Sequence, residues 1–215
     1  LLGGYQVELA GEAVHGFETD KARALLAYLV VEADRPHRRE TLAGLLWPDR
    51  PEMAARTSLR QALARVRRAL RDFEPPFFLF ITPTDVQFNT ASDYTLDVAE
   101  LGAWANAPAA LRGLLPEAYC ADFLAGFAVP DSEAFQAWTL SKQEYYHRLA
   151  IDILDEQYAY FEGADAYEQA AAAARLQLRL EPWLDEAHRR CMRSLALAGH
   201  REEALRQYEL CVRIL

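Results

Sequence analysis

RRETLAGLLWPDRPEMAARTSLRQALARVRRAL, residues 38–70, holds two helical patterns and a sharp break between them. Leu42, Leu45 and Leu46 lie on one side of a helix expected over Arg39–Leu46. Trp47-Pro48 ends it, because proline has no N–H to continue the ladder and disfavours helix just before it. After Glu52 no acidic residue occurs until Asp72, yet Glu52–Leu70 carries five arginines. At about 100° per residue, Leu59, Leu63, Val66 and Leu70 form a narrow stripe that must be buried. Thr57, Arg60, Gln61, Ala64, Arg65 and Arg68 spread over the opposite side, and Arg67 and Arg71 flank the stripe. The open face is polar and basic, with the small Ala64 in its middle, where a small residue lets a helix sit close in a groove. All this lies in a chain of 215 residues with a net charge of −9.

The neighbouring segments give the helix a context. Residues 4–18 read as one or two short strands with a turn near Ala10-Gly11. Thr19 or Asp20 caps a helix whose Ala22, Leu25, Leu26, Leu29 and Val30 recur at helical spacing, and Asp34-Arg35-Pro36 breaks it. On the other side, 77–81 (FFLFI) and 86–88 (VQF) flank Thr82-Pro83-Thr84-Asp85, a β-hairpin with Pro and Asp in the turn. Helix, helix, arginine helix, hairpin is the order of a winged helix-turn-helix, in which the third helix enters the major groove. Arg60, Arg65 and Arg68 have the donors for phosphates or the O6/N7 edge of guanine, and Gln61 suits adenine or a phosphate. The competing reading is a solvated basic face neutralised by acids elsewhere in the chain.

Residues 1–90 hold 12 basic and 12 acidic side chains, so the whole acid excess lies in 91–215. DNA contact is therefore expected in the first part, because an acidic surface repels nucleic acid. The second part is nearly all helix, with long amphipathic segments at 132–161, 166–181, 184–198 and 201–215. Residues 165–182 and 199–215 align at an offset of about 34, the period of a tetratricopeptide helix pair. Ala170 then meets Ala204, and Leu178 meets Val212. His188, Cys191, Leu195, Ala204, Tyr208 and Cys211 take the repeat's signature positions. The fold class expected is mainly α with a small β component: a winged helix-turn-helix at 1–90 and a TPR-like helical domain at 91–215.

With these residues on the page, a family resemblance is visible. LLGGYQVELAGEAV, KARALLAYLV and residues 38–70 resemble the OmpR-type DNA-binding domain of the SARP family of bacterial transcriptional activators. DVAEL, DFLAGF, DSEAFQAW and EPWLDEAHRRCMRSLALAGHREEALRQYE resemble the bacterial transcriptional activator domain, BTAD, that follows it. The resemblance implies a regulator that binds promoter direct repeats in double-stranded DNA as side-by-side protomers or a homodimer. It implies recruitment of RNA polymerase through the 47–55 loop, with Pro48, Asp49 and Arg50 as the contact residues. It also makes 57–71 the recognition helix and the repeats a platform for protein contacts. One departure stands out. OmpR-type wings often carry Arg or Lys near the tip, whereas ITPTDVQFN has none, which leaves Thr82 and Thr84 as its DNA-contact candidates.

Other chemistry is thinly represented. The three cysteines, Cys120, Cys191 and Cys211, form no metal-binding spacing. His188 and Cys191 lie three apart, but core packing of the repeat is the better reading. Trp104, Trp138 and Trp183 are expected to anchor cores. No phosphate loop and no nucleophile elbow occurs. No enzyme, metal or cofactor is expected, no apolar run reaches the roughly 20 residues of a membrane span, and a reduced cytoplasmic setting fits best. A start without an initiator Met and an uncapped helical end suggest a fragment of a longer protein. The expected function is a sequence-specific DNA-binding transcriptional activator. The alternative is a TPR-like interaction scaffold whose winged helix docks protein rather than DNA.

Overall fold

A computed structural model of the chain describes residues 1–111 and 113–214. It is mainly helical with two small sheets. Strands β1 (Glu8–Leu9) and β2 (Glu12–Ala13) pair antiparallel, with Leu9 opposite Glu12. Their turn residues Ala10 and Gly11 have φ of 53° and 80°, the left-handed pair that a two-residue hairpin loop favours. Thr19 caps α1 (Asp20–Val31) by accepting the Ala22 N–H at 3.3 Å. Helix α2 spans Arg39–Leu46, and its last bond comes from the Trp47 N–H, directly before Pro48. Helix α3 spans Glu52–Ala69 and buries Leu59, Leu63 and Val66 as their spacing predicts, together with Ala55, Ser58 and Ala62. It ends in a left-handed residue, Arg71 (φ 54°), after which the Asp72 N–H returns to the Arg67 carbonyl at 2.8 Å.

Strands β4 (Leu79–Ile81) and β5 (Asp85–Phe88) form the expected hairpin. A third strand joins it. β3 (His37–Arg38), between α1 and α2, pairs with β5, so the sheet order is β3-β5-β4. Two residues give no period to read, and only the tertiary pairing reveals this strand. Asp72 links α3 to the sheet: its buried carboxylate accepts the N–H groups of Phe78 at 2.7 Å and Leu79 at 3.3 Å.

The chain divides into two compact units. The first takes Leu1, Gly3–Leu96 and Leu124–Gln143. Helix α5 (Glu133–Gly163) is thus shared, with its first turns in this unit. Those turns bring aromatic side chains. Phe135 is 1% exposed and packs on Trp138 at 5.2 Å, and Trp138 packs on Tyr28 at 5.1 Å. Phe127 stacks on Tyr5 at 5.3 Å. Trp138 Nε1 donates to Glu32 Oε1 at 2.9 Å, and Lys142 Nζ lies 2.8 Å from the same oxygen.

Partial burial raises the Glu32 pKa, but the hydrogen bonds from Lys142 and Trp138 outweigh it and hold the carboxyl below its ordinary range. A depressed folded-state pKa adds stability that is complete above the unfolded carboxylate range and is lost as pH falls through the folded value. Glu32→Gln is therefore expected to lower stability at neutral pH and to flatten its acid dependence. Chemical denaturation at pH 7 and pH 3 checks this, and an unchanged pH profile contradicts it.

The second unit takes Leu2, Asp97–Phe123 and Glu144–Leu215. It contains α4 (Asp97–Asn106), the rest of α5, α6 (Tyr167–Leu180), α7 (Asp185–Leu197) and α8 (Arg201–Ile214). Leu215, the last residue of the predicted 201–215 segment, lies outside the described residues. Helix α6 packs on α7, with Ala170, Ala171, Ala173 and Ala174 buried, as are Ala187, Cys191 and Leu195 of α7. Four small side chains on one helix allow close approach. Gly199 (φ 86°) closes α7, and the His200 N–H reaches back to the Leu195 carbonyl at 2.8 Å. Gln157, 1% exposed, spans to the preceding loop by accepting Leu115 N–H at 3.0 Å and donating to the Gly113 carbonyl at 2.8 Å.

One expectation needs correction in this unit, the placing of Trp183. Trp183 anchors no core: it is 66% exposed in the α6–α7 turn. Tyr208 takes a repeat signature position but is 57% exposed, and among the described residues α8 buries none. Helix α8 packs on α7, and its Leu205, Tyr208 and Val212 are exposed.

Candidate nucleic-acid interface

The face of α3 opposite its buried stripe is open. Thr57, Arg60, Gln61, Ala64 and Arg68 are exposed, and Arg65 is half-buried. The fold brings these six predicted positions together on one helix. Thr57 turns its hydroxyl back to the Met53 carbonyl at 2.9 Å, which commits its proton and leaves its lone pairs free.

The arginines are not equivalent. Arg56 lies between Glu40 at 2.6 Å and Glu52 at 2.7 Å. Arg67 donates to the Asp72 carbonyl at 2.8 and 3.0 Å and covers the Phe73 ring. Arg65 and Arg68 share one carboxylate. Arg65 Nε donates to Glu18 Oε2 at 2.9 Å, and Arg68 Nη1 donates to Glu18 Oε1 at 3.0 Å. The hydrogen bond from Arg65 is the main cause that holds the Glu18 carboxyl below its ordinary range. Arg60 differs: among the described residues its guanidinium has no hydrogen-bond or ion-pair partner. The run that looks uniformly basic in sequence is thus largely matched by acids from other segments. Glu18 lies 47 and 50 positions away from its partners, too far for any helical spacing rule to detect.

The wing spends its hydroxyls on itself. Thr82 Oγ1 accepts the Asp85 N–H at 2.9 Å, and Thr84 Oγ1 donates to Asp85 Oδ2 at 2.6 Å. What the hairpin lacks in basic residues, β3 and the start of α2 supply. Arg38 Nε sits 3.5 Å from Asp85 Oδ1, and Arg39 Nη1 donates to the Thr82 carbonyl at 3.2 Å. Both arginines stand beside the wing tip because β3 pairs with β5, and the hairpin's own sequence gives no sign of them.

In the loop before α3, Pro48, Asp49 and Arg50 are all exposed. Arg50 Nη1 donates to Ser58 Oγ at 2.9 Å, and Ser58 in turn donates to the Ala54 carbonyl at 2.9 Å, which fixes the loop to the helix. Beside it lies an open cleft of about 400 Å³ lined by Trp47, Pro48, Arg50 and Arg56.

Residues 85–215 match the family model of the bacterial transcriptional activator domain. The chain belongs to that family, among regulators of SARP type. It is a family of transcription regulators rather than of enzymes. No curated protein matches the sequence. Among solved structures, Mycobacterium tuberculosis EmbR in complex with a low-affinity phosphopeptide is similar, with a TM-score of 0.62 at 22% identity. The match covers 97% of this chain and 57% of that one, so the chain spans little more than half the length of EmbR. At that identity the likeness speaks for the fold, a winged helix followed by helical repeats.

Within this BTAD chain His188 and Cys191, three apart on α7, are both held in the helical packing. His188 Nε2 lies 2.8 Å from the Pro182 carbonyl and Nδ1 lies 2.7 Å from Gln207 Nε2, which fixes the tautomer with the proton on Nε2. Cys191 is fully buried, and burial raises its thiol pKa. Among the described residues no group of three or more His, Cys, Asp or Glu is arranged to hold a metal ion. Among them, too, no helix is long and apolar enough to cross a membrane.

Proposed function

We propose that this regulator binds double-stranded DNA and reads the major groove with α3, working in the cytoplasm as a transcriptional activator. The observation that carries the reading is the open face of α3, where Arg60, among the described residues, stands without an intramolecular partner beside Gln61 and Ala64. Arg60 is free to make the bidentate guanine contact, Gln61 an adenine or phosphate contact, and Ala64 lets the backbone approach. Arg65 and Arg68 add phosphate contacts, and Thr57, whose hydroxyl proton goes to the Met53 carbonyl, offers its lone pairs to a base amino group. Thr82 and Thr84 belong to the wing's edge of the interface, and Arg38 and Arg39 lend it charge. Pro48, Asp49 and Arg50 present a rigid exposed loop to RNA polymerase. The DNA-reading part is 1–90, supported by the packing of 124–143. The partner-binding part is 91–215, and its open features are Trp183 and the Leu205, Tyr208 and Val212 side of α8.

Selection of bound duplexes from a random pool tests this. Enrichment of direct-repeat half-sites about one helical turn apart is expected, from protomers bound side by side or as a homodimer. Failure to enrich any sequence, with a protein partner retained instead, favours the scaffold reading in which the winged helix docks protein. The pairing of Arg56, Arg65 and Arg68 with carboxylates supports that second reading. The unpaired Arg60 speaks against it.

A further inference from the structure

We propose that Glu18 is an intramolecular competitor for the DNA-facing arginines, a specificity-setting carboxylate that occupies Arg65 and Arg68 and limits binding to DNA of arbitrary sequence. The inference rests on the DNA-reading assignment of α3.

Three observations carry it. The first is geometric. One carboxylate spans two guanidinium groups a helical turn apart, with contacts of 2.9 and 3.0 Å. Those two arginines are on the same face as Arg60, which Glu18 leaves alone. The second is rigidity. Glu18 sits between Phe17, which is 0% exposed, and Thr19, which caps α1. These flanking residues anchor the backbone from which the Glu18 side chain projects. The third is backbone conformation. Glu18 has φ of 61°, a left-handed value at which glycine fits without steric penalty and glutamate does not. A charged side chain is kept where the backbone alone prefers none.

The electrostatics follow. Non-specific binding is mostly phosphate neutralisation by Lys and Arg, and each such contact releases about one counterion. Glu18 acts as an internal phosphate on this face. A duplex must displace it to gain Arg65 and Arg68, and the displaced carboxylate then lies close to the DNA backbone, where like charge repels. The side chains of Glu18, Arg65 and Arg68 are 47%, 33% and 65% exposed, so solvent screens the pairs and they can exchange. Binding through Arg60 and Gln61 to base edges does not pass through this competition. Sequence-specific contacts therefore keep their full weight while indiscriminate ones are reduced.

The test uses the 215-residue chain, a random-sequence duplex and fluorescence anisotropy over a range of salt concentrations. Glu18→Gln removes the charge and keeps the size. Glu18→Gly removes the clamp and suits the backbone, which guards against a folding artefact. Both are expected to tighten binding about tenfold near 0.1 M salt and to steepen the log–log salt slope by about one to two. Adding Arg65→Ala and Arg68→Ala to Glu18→Gln is expected to erase the gain. Unchanged or weakened binding of the random duplex by both Glu18 variants overturns the proposal, while loss of binding to a selected operator duplex in Arg60→Ala shows that α3 still reads DNA. If neither the wild type nor any variant binds in a salt-dependent way, the DNA-reading assignment itself fails and takes the proposal with it.

Discussion

Arg60→Ala is expected to weaken binding to a selected operator by about 10- to 100-fold with the fold intact, the cost of losing one bidentate base contact. The expectation is largest at this position for a structural reason. Among the described residues Arg60 has no intramolecular partner to give up, so its whole interaction with DNA is gain. Its side chain is exposed, and its removal exposes no apolar core. Arg65→Ala and Arg68→Ala are expected to cost less individually, because each first leaves Glu18. Titration of variant proteins against a selected duplex separates these cases. Full binding by a triple variant lacking Arg60, Arg65 and Arg68 would remove α3 as the reading helix. Equal losses at all three would contradict the ranking.

Phe135→Ala is expected to destabilise the first unit by about 3–5 kcal/mol, the usual range for removing a fully buried phenyl ring. Phe135 lies 45 residues beyond the predicted end of the DNA-binding part, yet it is 1% exposed among the aromatic residues of that unit. Trp138 on one side and Phe127 on the other, at 5.2 and 6.3 Å, lose their contact face with it. Amide hydrogen exchange provides the readout. Protection should fall in α1 and α3 and stay unchanged in α6 and α7. Unaltered protection in α1 would mean that residues 124–143 contribute little to the winged helix.

Much of the fold was legible because the periods were clean. The C-terminal end of α2 follows from Trp47-Pro48, the turn at Ala10-Gly11 from its small residues, and the buried side of α3 from Leu59, Leu63 and Val66 at helical spacing. The small residues at a 34-residue offset anticipated the α6–α7 packing. What escaped was non-local or too short. β3 has two residues and no pattern. Trp183 was expected inside because tryptophan usually is, but residue type alone does not place a loop residue, and its ring remains at the surface. Tyr208 matched a repeat position whose partner face is open in this chain.

The same division applies to the candidate interface. The sequence is enough to show that α3 has one apolar stripe and one basic face, because side-chain direction on a helix follows from spacing alone. It also determined the helix–helix–helix–hairpin order and, through its motifs, the family. Which arginines are free was decided only by tertiary structure. Charge pairing depends on distance in space, and the acids that meet Arg56, Arg65 and Arg68 come from α2, from the start of α3 and from the turn before α1. Five arginines that are alike in the sequence become, among the described residues, four with partners and one, Arg60, without.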